Sequence, residues 1–301
     1  MAPFQWPLPQ GTALAATRFF ADGGFFTPDR KGRFIAVTPS VPQRTSPDLP
    51  LILNTGRVRD HWHTMTRTGK SPRLSQHMAE PFCEMNPRDA AARGIGDADL
   101  VTVRTGHGTV LVRALVSSRQ APGSVFIPMH WNDQFAASAR VDALVPAVTD
   151  PVSGQPASKH SAAEAVRFEA ACFGFAILRE KPTGLDADYW ALARCEAGWR
   201  VELAFATERP DWSAFAAQLF GAEPRDECLA FHDLAAGRRR FAAFAGTNLV
   251  GALFLAREPV AVSRSWAEGQ LRSQFPRPQD RPAMIAGRPG QGQVDRGATV
   301  C

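Results

Sequence analysis

The sequence predicts a mainly β chain, a closed β-barrel followed by a smaller α+β unit. Three observations carry this. Between positions 51 and 168, short alternating apolar runs recur, each bounded by Gly, Pro or Asn. After position 185 the apolar spacing turns helical in places. The 301 residues suffice for two domains at roughly 100–200 residues each.

The elements follow in order. Residues 1–50 are rich in Pro and aromatics and form a segment leading into the barrel. Within them Phe25-Phe26-Thr27 and Arg33–Val37, joined by Pro28–Gly32, read as a β-hairpin. Pro39, Pro42, Pro47 and Pro50 make an extended connector. The barrel is expected over 51–168. Its strands are Leu51–Leu53, Phe82–Met85, Leu100–Arg104, Val110–Val116, Ser124–Pro128 and a closing Ala165–Phe168. Thr105–Thr109 is a hairpin turn, and Asn86-Pro87 caps a short helix that stops at Gly94. The α+β unit is expected over 170–275. It has helical segments at Asp188–Cys195, Trp212–Phe220 and Ser265–Phe275, and a hairpin Arg240–Phe244/Leu249–Leu255. Residues 276–301 have linker composition.

Hydrophobic residues at 45% and charged residues at 21% describe a globular chain with material for a core, which excludes disorder. No apolar run reaches the ~20 residues of a membrane helix. The start, Met1–Pro7, lacks the charged and apolar regions of a secretory signal, so a cytoplasmic location and no membrane partner are expected. The net charge of +5 sits wholly in residues 1–160, which hold 17 Lys+Arg against 12 Asp+Glu. That half also holds six of the seven histidines, which suits an anionic ligand. Beyond Arg238-Arg239-Arg240 there is no basic run and no aromatic-interleaved basic motif, so no nucleic-acid partner is expected. Cys83, Cys172, Cys195 and Cys228 have no metal-ligand spacing and read as buried free thiols.

The densest polar cluster runs from Asn54-Thr55-Gly56-Arg57 through His61-Trp62-His63-Thr64-Met65-Thr66-Arg67 to Lys70. A strand ends there, a glycine allows close backbone approach, and cationic and hydroxyl donors follow. Such a group can hold a pyrophosphate, with Trp62 stacking on a planar ring; a solvated loop around one half-buried Trp is the plainer alternative. His61 and His63 share a strand face but have no evident third metal ligand. No nucleophile elbow, Walker A loop or dinucleotide fingerprint follows a strand. The second cluster, Pro128-Met129-His130-Trp131-Asn132-Asp133, follows a strand directly; it is either a ligand loop or a barrel cap. In the third, Asp150–Lys159, Lys159 either meets a phosphate or is a surface lysine.

Together these segments resemble the cofactor-binding C-terminal domain of molybdopterin-dependent oxidoreductases, and more narrowly the bacterial assimilatory nitrate reductases. Glu84–Ala90, Pro128–Asn132 and Asp150–Lys159 come in that family's order, and Trp6-Pro7 and Phe25–Pro28 resemble the segment before the domain. The likeness covers residues 1–168. It implies a double-psi β-barrel binding molybdopterin guanine dinucleotide, with molybdenum. It also implies that Asn54, Thr55, Gly56, Arg57, His61, Trp62, His63, Thr64, Thr66, Asn86, Asp89, His130, Trp131, Asn132 and Lys159 lie on the cofactor. Residues 170–275 are similar to the extra region those reductases carry after the barrel.

Asp295–Cys301 resembles the entry to a 2Fe–2S domain, with Cys301 as its first ligand. The family's 4Fe–4S motif, molybdenum-ligand segment and central domains are absent from the sequence. The resemblance therefore implies a fragment, inactive alone and without catalytic residues of its own. Its partners would be the missing N-terminal domains and an electron donor such as ferredoxin, flavodoxin or a flavoprotein reductase. Rival readings are a fragment of another molybdopterin enzyme such as a formate dehydrogenase, and a stand-alone nucleotide-binding barrel.

Overall fold

A computed structural model describes residues 18, 20–38, 43–221 and 226–289. The chain divides into residues 1–41 and 42–301, each described by itself. In the first unit the expected hairpin is not formed. A tight turn stands in its place: Arg30 N–H donates to Thr27 O at 2.9 Å, and Phe25 N–H to Arg30 O at 2.9 Å. Pro28 favours that turn, but residues 33–37 form no strand pairing among the described residues, and Phe34, Ile35 and Val37 are exposed. Alternation without a face to bury it does not make a strand.

In the second unit, six strands close a barrel. They are β1 (Leu51–Gly56), β2 (Phe82–Met85), β3 (Leu100–Arg104), β4 (Thr109–Val116), β5 (Ser124–Pro128) and β6 (Ser161–Arg167). Their order around the barrel is β1-β5-β2-β4-β3-β6, with β6 returning to β1. Two pairs, β1/β5 and β2/β4, are parallel and the rest antiparallel, as the double-psi topology requires. Buried positions alternate along the strands; Leu51, Leu53, Met85, Val101, Val103, Val112, Val125 and Ile127 fill the interior. Two short helices connect strands: α1 (Pro72–Ser75) and α2 (Pro87–Ala91). The Asn86 side chain caps α2 by accepting from Arg88 N–H at 2.9 Å.

Six further strands make one antiparallel sheet: β7 (Cys172–Leu178), β8 (Tyr189–Cys195), β9 (Gly198–Phe205), β10 (Glu227–Asp233), β11 (Arg238–Ala245) and β12 (Asn248–Ala256). Their order is β10-β11-β12-β7-β9-β8. Helix α3 (Trp212–Phe220) covers one face through Trp212, Phe215 and Leu219. The other face is covered by α4 (Arg264–Gln270), α5 (Pro282–Ala286) and Phe275. A sheet buried on both faces reads as continuous apolar sequence, which is what β7 and β12 show. Helix α4 is anchored by a bidentate pair from Arg264 to the buried Glu202, at 2.9 and 2.8 Å. Burial opposes ionisation of Glu202, but Arg200 and Arg264 outweigh it and hold its pKa below the carboxylate range.

Four local expectations change here. Asp188–Cys195 contains β8, not a helix. Its Ala, Leu and Arg suit a helix, but pairing with β9 along its whole length overrides propensity. The helix expected to reach Phe275 ends at Gln270, because Phe275 N–H donates to Thr247 O at 2.7 Å in the β11–β12 turn. Cys83, Cys172 and Cys195 are buried free thiols, with burial pushing their pKa up to about 12, 12 and 11. Cys228, on the outer strand β10, is exposed instead. Within 276–289, α5 packs Met284 into the core. Trp6-Pro7 and Cys301 lie outside the described residues.

The barrel and the sheet are joined by β8. Tyr189, the only tyrosine, is fully buried in the barrel's core cluster. Its hydroxyl donates to Glu80 Oε2 at 2.7 Å, and the same carboxylate accepts from Arg113 Nε at 3.0 Å. The Arg113 guanidinium lies 5.4 Å from the Tyr189 ring centre. Tyr189→Phe removes one buried hydrogen bond to a charged acceptor. It is expected to lower unfolding stability by about 1.5–3 kcal/mol, read as a shifted urea midpoint at unchanged slope.

Candidate functional site

Strands β1 and β5 run parallel and finish side by side at Gly56 and Pro128. Their following loops, 57–70 and 129–137, meet at that end of the barrel with residues 149–160. Gly56 sits against the Phe126 ring; a Cβ there would stand 2.8 Å from it. The bare backbone is needed for that packing, and Lys159 Nζ lies 3.9 Å from the same point. Lys159 donates to Thr55 O, and the buried Thr55 hydroxyl donates to Ser158 O at 2.7 Å. The third segment is thereby tied to the end of β1.

Loop 57–70 contains a strained turn. His63 and Met65 hold φ of 40° and 60°, a region that L residues avoid. Two side chains from the β5 loop pin its carbonyls. His130 Nδ1–H donates to His63 O at 2.7 Å, and Asn132 Nδ2–H donates to Thr64 O at 3.0 Å. The other nitrogen, His130 Nε2, accepts from Val58 N–H at 2.9 Å. These two bonds require the neutral Nδ1–H tautomer, since a doubly protonated ring has no lone pair for Val58. Burial holds the His130 pKa below its ordinary value, against the opposing pull of the His63 carbonyl.

His61 is also buried, between Thr68 Oγ1 and Met78 O, both at 3.3 Å. Burial lowers its pKa too, more than the Met78 carbonyl raises it. The Trp131 ring stands edge-on to His61 at 5.3 Å and is buried. Behind the loop, residues 135–137 add to the open edge of β8: Leu192 N–H donates to Phe135 O at 2.7 Å and Ala137 N–H to Trp190 O at 2.9 Å.

The predicted site residues therefore separate by role. Arg57, Trp62, His63, Thr64 and Thr66 are exposed on one loop. Trp62 is 54% exposed; the Arg57 guanidinium lies 5.2 Å from its ring centre and the His63 ring meets it edge-on at 4.4 Å. Among the described residues no carboxylate pairs with Arg57. Thr55, His61, His130, Trp131 and Asn132 shape the loops from beneath. Asn54 is exposed on β1. Asn86 and Asp89 are not brought to this end. They sit where β5 begins: Asn86 Nδ2–H donates to Gln120 O at 2.8 Å, and Asp89 Oδ2 accepts from Gly123 N–H at 2.7 Å. A strand of five residues, roughly 16 Å long, separates them from Gly56.

Sequence reasoning missed Phe126, the β8 seam, and the Asp60 cluster, where His77 Nδ1 and Arg59 Nε lie 2.6 and 3.1 Å from the carboxylate. Burial works against the Asp60 charge, but Arg59 and His77 outweigh it and lower its pKa. The half-buried alternate position of Phe126 in β5 was a signal; no local pattern pointed to His77. Among the described residues no group of three His, Cys, Asp or Glu side chains is placed to hold a metal, and no helix is long and apolar enough to cross a membrane.

Residues 51–162 match the family described as the molydopterin dinucleotide binding domain. The barrel belongs to this family. Along its whole length the chain is 35% identical to a nitrate reductase of Klebsiella oxytoca, of which it covers 34%. Over 51% of the chain it is 33% identical to the assimilatory nitrate reductase catalytic subunit of Bacillus subtilis, covering 21% of that protein. Over 52% it is 35% identical to a periplasmic nitrate reductase of Desulfovibrio desulfuricans, covering 22%. The chain thus spans about a third of the first relative's length and about a fifth of the other two.

The donor set fits a molybdopterin dinucleotide. The Arg57 guanidinium, the hydroxyls of Thr64 and Thr66 and the exposed Trp62 indole combine anion and ring recognition on one loop.

The tautomer requirement fixes a pH dependence. His130 and His61 have folded pKa values below the ordinary 6.5. Below about pH 6.5 the unfolded chain takes up protons that the folded chain refuses, so stability falls as pH drops from that point. The loss ends once the pH passes below the folded pKa values. Ring-proton NMR titration is expected to place both histidines below 6.5; titration at or above that value would contradict the neutral clamp.

Proposed function

We propose that this chain is the cofactor-holding part of an assimilatory nitrate reductase that works in the cytoplasm and reduces nitrate to nitrite. The single observation supporting it most is the loop Arg57–Thr66, presented on a family-matched barrel and held open to a ligand by His130 and Asn132. When bound, molybdopterin guanine dinucleotide supplies two-electron chemistry at molybdenum. The residues of this chain bind and orient it. Arg57 and Lys159 offer charge to a pyrophosphate, Thr64 and Thr66 offer hydroxyls, and Trp62 offers a stacking face.

In this reading the protein ligand to molybdenum and the 4Fe–4S cluster belong to domains preceding this one. A 2Fe–2S domain follows, with Cys301 as its first ligand, and ferredoxin, flavodoxin or a flavoprotein reductase delivers electrons. The assimilatory assignment and the cytoplasmic location rest on the likeness along the segments read above. The Bacillus relative's name agrees with the assimilatory assignment alone, and the Desulfovibrio relative is named periplasmic.

The test is direct binding of released molybdopterin guanine dinucleotide to the purified chain, followed by quenching of pterin fluorescence. Arg57→Ala is expected to weaken binding roughly 10- to 150-fold, the loss of one charge-assisted contact of about 1.5–3 kcal/mol. Arg104→Ala, whose guanidinium bonds to Asp48 O away from these loops, is the control. No measurable affinity, or equal affinity in both variants, would overturn the reading.

A further inference from the structure

The Arg238-Arg239-Arg240 run is a basic cluster that the barrel site leaves unused. It opens β11, and a cleft of about 310 Å³ lies beside it, between the start of β11, the end of β12 and the segment after β12. Arg238, Arg240 and Arg257 line this cleft. Glu258 is the one carboxylate on its wall among the described residues, and Phe254, Val260 and Val262 form an apolar side.

The three arginines are placed by the fold. Arg240 donates from Nη1 to Ile285 O at 2.7 Å and Ala286 O at 2.6 Å, the last carbonyls of α5. Arg257 lies across Gly237, where a Cβ would stand 2.7 Å from its Nε; that glycine also holds φ of +62°, so the turn both needs and exploits the missing side chain. Among the described residues neither Arg238 nor Arg257 pairs with a carboxylate. Burial, and then the charges of Arg238 and Arg288, hold the Arg240 pKa below arginine's ordinary value. Like charges are thus gathered at a concave surface without a counter-charge to match them.

We propose that this cleft is an anion site that takes a phosphate group carried on a small organic body. Three guanidiniums against one carboxylate leave a charge matched by a phosphomonoester, which carries about −1.5 to −2 at pH 7. Guanidinium forks fit pairs of phosphate oxygens, and the apolar side accommodates the attached body. The volume is at the small end of ligand sites, which run from about 300 Å³. The site shares no lining residue with the barrel loops and does not rest on the nitrate reductase reading.

Calorimetric titration of the 301-residue chain with phenyl phosphate, at fixed ionic strength, tests it. Saturable binding is expected, weakened at least tenfold by Arg238→Ala and by Arg257→Ala, and unchanged by Arg104→Ala on the barrel. Inorganic phosphate is expected to bind more weakly than phenyl phosphate. No saturable heat at millimolar ligand, or indifference to both cleft substitutions, would overturn the proposal. Loss on Arg57→Ala alone would also overturn it, by placing the anion on the barrel. Equal affinity for the two phosphates would overturn the role of the apolar side.

Discussion

The imidazole of His130 is the constraint on which the site depends. It bonds at once to Val58 N–H and to the His63 carbonyl, so a buried residue at the end of β5 sets the path of the loop that leaves β1. That loop has two non-glycine residues at positive φ, a conformation that costs free energy and persists only where its surroundings over-determine it. His130 and Asn132 supply that determination by holding two consecutive carbonyls. The donors of the loop, Arg57, Thr64 and Thr66, are exposed above this pinned backbone.

The support extends through the second sheet. Residues 135–137 extend the edge of β8, which otherwise would present unpaired backbone groups. Tyr189, at the start of the same strand, is buried in the barrel core and bonded to Glu80 beside Arg113. The region after the barrel is thus part of the mounting of the site. This explains in physical terms why barrel and sheet occur in one compact unit.

Much of the barrel was legible because its strands are short, alternating and separated by strong turn residues. Thr105–Thr109 and Asn86-Pro87 are cases where local chemistry and global fold agree. The second unit was less legible. Tyr189–Cys195 has helix-favouring residues, and only the presence of β9 alongside makes it extended. The Phe25–Val37 segment shows the reverse: a strand-like pattern whose apolar side chains stay exposed and which forms no strand pairing among the described residues. Within the site, residue type located the polar clusters but not their division of labour. His61, His63 and His130 read alike as donors in the sequence, whereas two are buried supports and one is exposed.

The sequence by itself determined the barrel, the order of its ligand-bearing segments and the concentration of positive charge in its first half, because these depend on local periodicity, turn residues and composition. The tertiary structure decided which donors face outward, that Asn86 and Asp89 serve the opposite end of the barrel, and that β8 is a strand. Those outcomes depend on burial and on main-chain partners distant in sequence, which no local pattern encodes.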